Sequence, residues 1–305
     1  MNHEQTLKDY SQVGKACWGY LLLQIILSFS LTFIFLSAAL SILPIDITST
    51  LSFQANLSAL IPLLSMALAP IIVITFQKKN LRWNFDKEQF RYPHSPKLIF
   101  RYYALILGFN FGLGLLLTLL STLIQAIGGS EIVAPDISMS SQPFYDVLLF
   151  LQIVVIAPIL EEIFFRGLIL QSLQRYNKNL AIFASALLFS LLHLNLAQSV
   201  PAFFSGLIFG YLAIQYRSLS LPILVHMLNN AISFGITNTS SSIILTLYSI
   251  ICIFALFYSI YKITTYIKKH PNIDYSIPDL KTWIKRPAVL SFVIFSLLIC
   301  VFALI

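Results

Sequence analysis

Stretches of about twenty apolar residues recur along nearly the whole of this chain, and a hydrocarbon layer about 30 Å thick is crossed by roughly that many helical residues. Nine such stretches can be read, near 19–43, 57–77, 98–127, 144–172, 180–196, 199–216, 219–237, 242–267 and 288–305. Backbone in lipid has no water to bond with, so its N–H and C=O groups must be satisfied inside each segment or in a closed barrel; runs of this length select helices. The composition agrees, since the 305 residues are 58% hydrophobic and only 10% charged, far from the balance of a soluble domain. The expected fold class is all-α, a polytopic transmembrane helical bundle of about nine spans with a four-helix core.

Charge placement tests this layout independently, because short loops rich in Lys and Arg stay on the cytoplasmic side. With a cytoplasmic N-terminus, eighteen of the nineteen basic residues fall in inner segments: Lys8 and Lys15, the run from Lys78 to Arg101, Arg175 and Lys178, Arg217, and the run from Lys262 to Arg286. The nineteenth is the intramembrane Arg166. The outer loops near 44–56, 128–143, 197 and 238–241 hold no Lys or Arg, although they carry Asp46, Glu131 and Asp136. The expected localisation is the cell membrane, multi-pass, with the N-terminus cytoplasmic and the C-terminus external. The net charge of +7 follows from topology and from anionic inner-leaflet lipid, so the bilayer is an expected partner and nucleic acid is not.

Neither a fixed-period repeat nor a long linker interrupts the chain. Three parts follow from loop lengths: 1–143, an N-terminal cytoplasmic segment and three spans; 144–237, four spans joined by very short loops that force antiparallel packing; and 238–305, two further spans with a basic loop. The first 18 residues resemble no cleavable signal, so the first span is expected to remain as an anchor. Cys17, Cys252 and Cys300 are odd in number and widely separated, which supports packing roles over disulfides or a thiolate metal site. The spans at 19–43, 242–267 and 288–305 lack acidic and His residues and read as peripheral, lipid-facing helices. In the loop 78–101, Arg82, Trp83, Phe85, Phe90, Arg91 and Tyr92 suit a membrane-surface segment or a plain solvated loop equally.

The chemistry concentrates in the middle part. Glu161, Glu162 and Arg166 sit within an otherwise apolar span, where ionised groups are costly and mark an interior polar site. Helical geometry places Glu162 and Arg166 on one face, four residues apart, and Glu161 on another. Arg166 is therefore assigned to Glu162, leaving Glu161 for another purpose, while Pro158 removes one backbone hydrogen bond and can open the helix to water. An ion pair that merely locks two helices is the simpler alternative. Two intramembrane histidines in neighbouring spans, His193 and His226, weigh against it. Phe189 lies one turn before His193 and Asn230 one turn after His226, so Phe189 can position an imidazole and His226 with Asn230 can form a pair of donors. A carboxylate base, a nearby His and two donors suffice to hydrolyse an acyl bond: Glu161, helped by His193, activates a water, and His226 and Asn230 stabilise the oxyanion. The same ligands, Glu161, His193 and His226, would alternatively hold a divalent metal such as zinc; the metal-free form is favoured slightly, since Asn is an uncommon zinc ligand. HExxH, Gly-x-Ser-x-Gly and Gly-x-Gly-Asp patterns are absent, which disfavours zinc-helix, serine and aspartyl designs.

EEIFFRG at Glu161–Gly167, FSLLH at Phe189–His193 and HMLNN at His226–Asn230 resemble, in order and spacing, the EExxxR, FxxxH and HxxxN motifs of the CAAX prenyl endopeptidase and bacteriocin-processing (CPBP, or Abi) intramembrane proteases. The resemblance covers about residues 144–237. It implies a glutamate-dependent intramembrane endopeptidase acting on a membrane-associated peptide or protein, such as a bacteriocin or quorum-signal precursor rather than a prenylated tripeptide tail. A non-catalytic scaffold or bacteriocin-immunity protein on the same fold, and a transporter, are the rival readings.

Overall fold

The computed structural model describes residues 3–42, 51–91, 95–140, 142–272, 274 and 276–304; the expected outer-loop residue Asp46 and the loop residue Tyr92 lie outside them. Among the described residues the regular structure is all helical, with no strand. Ten helices follow in order: α1 (His3–Ile42), α2 (Leu51–Asn80), α3 (Pro96–Ala126), α4 (Pro143–Gln174), α5 (Lys178–Leu191), α6 (Leu196–Gln215), α7 (Ser220–Thr237), α8 (Ser242–Lys269), the short α9 (Leu280–Ile284) and α10 (Pro287–Phe302). A single 3₁₀ turn, Lys87–Phe90, interrupts the loop between α2 and α3.

Each of the nine apolar stretches is helical over most of its described residues, and six helices, α1, α2, α3, α4, α6 and α8, are long and apolar enough to cross a membrane. The other three depart for physical reasons. α5 has 14 residues and α10 has 16, about 21 and 24 Å at 1.5 Å per residue, and α7 carries His226, Asn229 and Asn230 among its apolar residues. α5 ends at Leu191, short of the expected 196, because Leu194 adopts a left-handed conformation (φ 55°) and Asn195 caps the next helix, its side chain accepting from the Gln198 N–H. α1 begins sixteen residues earlier than its apolar run, since Tyr10, Val13, Ala16 and Cys17 are buried against the rest of the bundle.

Helix pairing rests on small residues, as it must where lipid is as apolar as the side chains. A Cβ on Gly14 would come within 2.5 Å of the Val289 backbone N, so α1 and α10 meet nearly backbone to backbone. Gly108 of α3 sits in the same manner against Ala255 and Ser259 of α8. Outward faces of α8, such as Ile243, Leu247, Phe254 and Phe257, are exposed, as expected for a lipid-facing helix. All three cysteines are free and buried.

The basic end of the bundle is tied shut. Asp9, fully buried, pairs with Arg82 and accepts from the Tyr176 hydroxyl at 2.7 Å; burial and that carboxylate hold the Tyr176 phenol above its ordinary pKa. Arg175 donates to the Leu81 carbonyl at 2.9 Å. Within the 78–101 loop Arg82, Phe85 and Arg91 are exposed, as either expectation has them, but Trp83 departs from both: it is buried against Gly167 of α4, and its indole N–H donates to Gln171, which in turn donates to Gln89.

Candidate active site

The hydrogen-bond register of α4 changes twice around the paired glutamates. Leu151–Ile156 and Ile163–Leu170 are π-helical, flanking an α-helical Ala157–Glu162; such segments widen a helix and recur at functional sites. Pro158 explains part of this. In the first π stretch the Ala157 N–H reaches back five residues to Gln152 O, and the next residue, Pro158, has no N–H to give to Ile153 O. Asn230 of α7 takes that carbonyl instead, its Nδ2 donating to Ile153 O at 2.9 Å.

Glu162 and Arg166 form the expected pair. Arg166 donates to Glu162 Oε1 at 2.9 Å, both side chains being fully buried, and its other terminal nitrogen donates to Gly206 O at 3.1 Å. The guanidinium lies 4.6 Å from the Phe189 ring centre and 5.2 Å from that of Phe209, within cation–π range. A Cβ on Gly206 would stand 3.0 Å from the Arg166 nitrogen and 3.1 Å from Ala186, so any larger residue would have to push the guanidinium or α5 aside by a few tenths of an ångström.

His226 stands between the two glutamates. Its Nδ1 lies 3.1 Å from Glu162 Oε1, and its Nε2 3.8 Å from Glu161 Oε2. The ring stacks on Phe209 at 4.9 Å and meets the edge of Phe189 at 5.8 Å. Glu161 keeps 15% of its side chain exposed toward a cavity of about 650 Å³, whereas Glu162 keeps none. The different facing of the two carboxylates is thus as the helical spacing predicts.

His193 lines the same cavity from the end of α5. The helix closes there with the His193 N–H turning to Ser190 O, and the Phe189 carbonyl so released sits 3.1 Å from His193 Nδ1. A carbonyl can only accept, so Nδ1 carries the hydrogen and Nε2 is left with its lone pair. Asn195 reinforces the turn by donating to His193 O at 2.8 Å. Phe189 packs edge-on to His193 at 5.1 Å as well as to His226, which gives this phenylalanine a positioning geometry for both rings.

The cavity therefore gathers Glu161, His193, His226 and Asn230, with Phe189 between the two imidazoles. The imidazole next to Glu161 is that of His226, while His193 shares the cavity wall. Residues that sequence reasoning missed complete it: Phe209 under His226, and the carboxamides Gln24, Asn110, Gln198 and Asn229; Gly206, also missed, packs on Arg166 behind the cavity wall. Asn229 was visible within HMLNN; the others lie on helices whose facing is decided by tertiary packing. Tyr20, Gln24, Met66 and Asn110 come from α1, α2 and α3, so the helices flanking the 144–237 stretch supply one wall. Among the described residues no three His, Cys, Asp or Glu side chains are disposed to hold a metal ion.

Comparison with known proteins bears on this arrangement. No curated protein and no solved structure matches the chain. The family described as type II CAAX prenyl endopeptidase Rce1-like matches residues 143–232, a segment running from the first residue of α4 into α7 and holding all three motifs. Over residues 143–232 the chain is similar to the CAAX prenyl endopeptidase family, and the helices α1–α3 and α8–α10 lie outside the match.

Proposed function

We propose that the protein is a glutamate-dependent intramembrane endopeptidase that hydrolyses a peptide bond of a membrane-associated peptide or protein. The observation that carries this reading is the division of labour between adjacent carboxylates: Glu162 is neutralised by Arg166 and bonded to His226, while Glu161 faces the cavity. A water held between Glu161 Oε2 and the lone pair of His193 Nε2 would lose its proton to Glu161 as it attacks the carbonyl carbon. Asn230 has two Nδ2 hydrogens and gives one to Ile153 O, leaving one for the developing oxyanion. His226 Nε2, when protonated, adds a second donor. Collapse of the tetrahedral intermediate passes a proton to the leaving amine. The substrate class is a peptide segment in the bilayer, a bacteriocin or signal precursor being the type that fits; the membrane is the cell membrane, with the basic loops cytoplasmic.

Replacing Glu161 by Gln removes the base and keeps the shape. Cleavage in proteoliposomes should fall at least about 10²-fold with unchanged insertion, whereas retained cleavage, or retained biological activity in cells, would instead favour a non-catalytic scaffold. The metal-free form predicts that dialysis against a strong chelator leaves the rate unchanged; loss restored by zinc would overturn that form alone.

A further inference from the structure

The cavity has a closed end and an open end, and they are not equivalent. Its floor is Tyr20, Phe165 and Phe209, exposed by 1% or less. From that floor the lining residues step along their helices in one direction: Ala157 and Ile153 on α4, Asn229 and Ser233 on α7, Gly114 and Leu117 on α3, and Ala197 at the start of α6. Ser233 and Gly114 are exposed, and Ile137, from the segment joining α3 to α4, stands at the far rim. Every one of these steps leads away from the end where Asp9, Arg82, Trp83, Arg175 and Tyr176 knit the helices together.

The basic residues outside Arg166 fall in the loops and helix ends on that side of the bundle, which positive charge keeps in the cytoplasm. The mouth is therefore on the other face. The lining itself carries no Lys or Arg that would hold a terminal carboxylate, and offers Gln24, Asn110, Gln198 and Asn229, whose amides match the donors and acceptors of an extended peptide backbone. Irregular backbone at membrane depth, such as the His193–Asn195 turn, is tolerated where it borders a water-filled space.

We propose that water and substrate reach Glu161 from the non-cytoplasmic face, and that the substrate is an uncharged, extended stretch of a peptide or membrane protein exposed on that face. The inference rests on the proteolytic reading for its substrate, but not for its access route. Ser233 lines the cavity four residues from the end of α7, so a cysteine there reports from which face a charged maleimide reaches the cavity mouth. The wild-type chain, with its three cysteines buried, is the blank, and Lys87→Cys marks the basic end. In sealed cells Ser233→Cys should label at least several-fold above the blank while Lys87→Cys labels only in inverted vesicles. Labelling of Ser233→Cys from the inverted side alone, labelling of Lys87→Cys in intact cells, or no labelling of Ser233→Cys until detergent is added would each overturn the proposal. A second arm separates the two ideas: external labelling of Ser233→Cys with no cleavage of externally added peptides would leave the route standing and remove hydrolysis.

Discussion

Asn230 illustrates how a residue can carry two roles that only a double substitution separates. It supports a carbonyl stranded by Pro158 and also lines the cavity. Asn230→Ala should lower stability by about 1 kcal/mol, the low end of the cost of a carbonyl left without a donor, since Ile153 is partly buried at the cavity wall. Pro158→Ala returns an N–H to the helix, so in that background the stability loss should shrink, a coupling of about 0.5 kcal/mol or more measurable by a denaturation cycle. If Asn230 also donates to the oxyanion, activity stays low in the double variant even as stability recovers. Recovery of both together would assign it to structure alone.

The closest helix approaches occur where side chains are missing, with large rings such as Trp18 and Phe292 packed beside them. Gly14 faces the Val289 backbone at a separation no Cβ can share, whereas a Cβ on Gly235 would meet nothing within 4 Å. Gly14→Leu should therefore part α1 from α10 and cost about 1–3 kcal/mol or more, and Gly235→Ala should stabilise α7 by about 0.5–1 kcal/mol; thermal unfolding in detergent reads both. The α4 helix shows the limit of period-based reasoning. Its i, i+4 spacing correctly paired Glu162 with Arg166, since the ion pair spans the junction between α and π registers without being lost, but no periodicity announces the two π segments.

For the molecule as a whole, orientation decides what the site can serve. Reporter fusions test it directly: a periplasm-type reporter joined after Thr239 should be active and one joined after Lys269 inactive, and the reverse pattern would invert the topology. A transporter would need a path through both faces. The Asp9, Arg82, Arg175 and Tyr176 cluster and the Trp83–Gln171–Gln89 chain close one of them, so a transporter would have to break these contacts in its other state, and a solute flux in proteoliposomes would reveal it.

The helical architecture, the pairing of Glu162 with Arg166 and the gathering of polar residues on neighbouring core helices, where Glu161, His193, His226 and Asn230 line one cavity, were legible in the chain, because hydrocarbon penalises unpaired backbone and isolated charge so severely that such residues declare themselves. Facing and contact were not legible. That α1 lends Tyr20 and Gln24 to the cavity, that Phe209 underlies His226, that His226 rather than His193 adjoins Glu161, and that the 78–101 loop seals one end all depend on which helix lies beside which. In a bundle held by close packing of small residues, that choice is made by interhelical fit, a property of pairs of distant segments that no single segment contains.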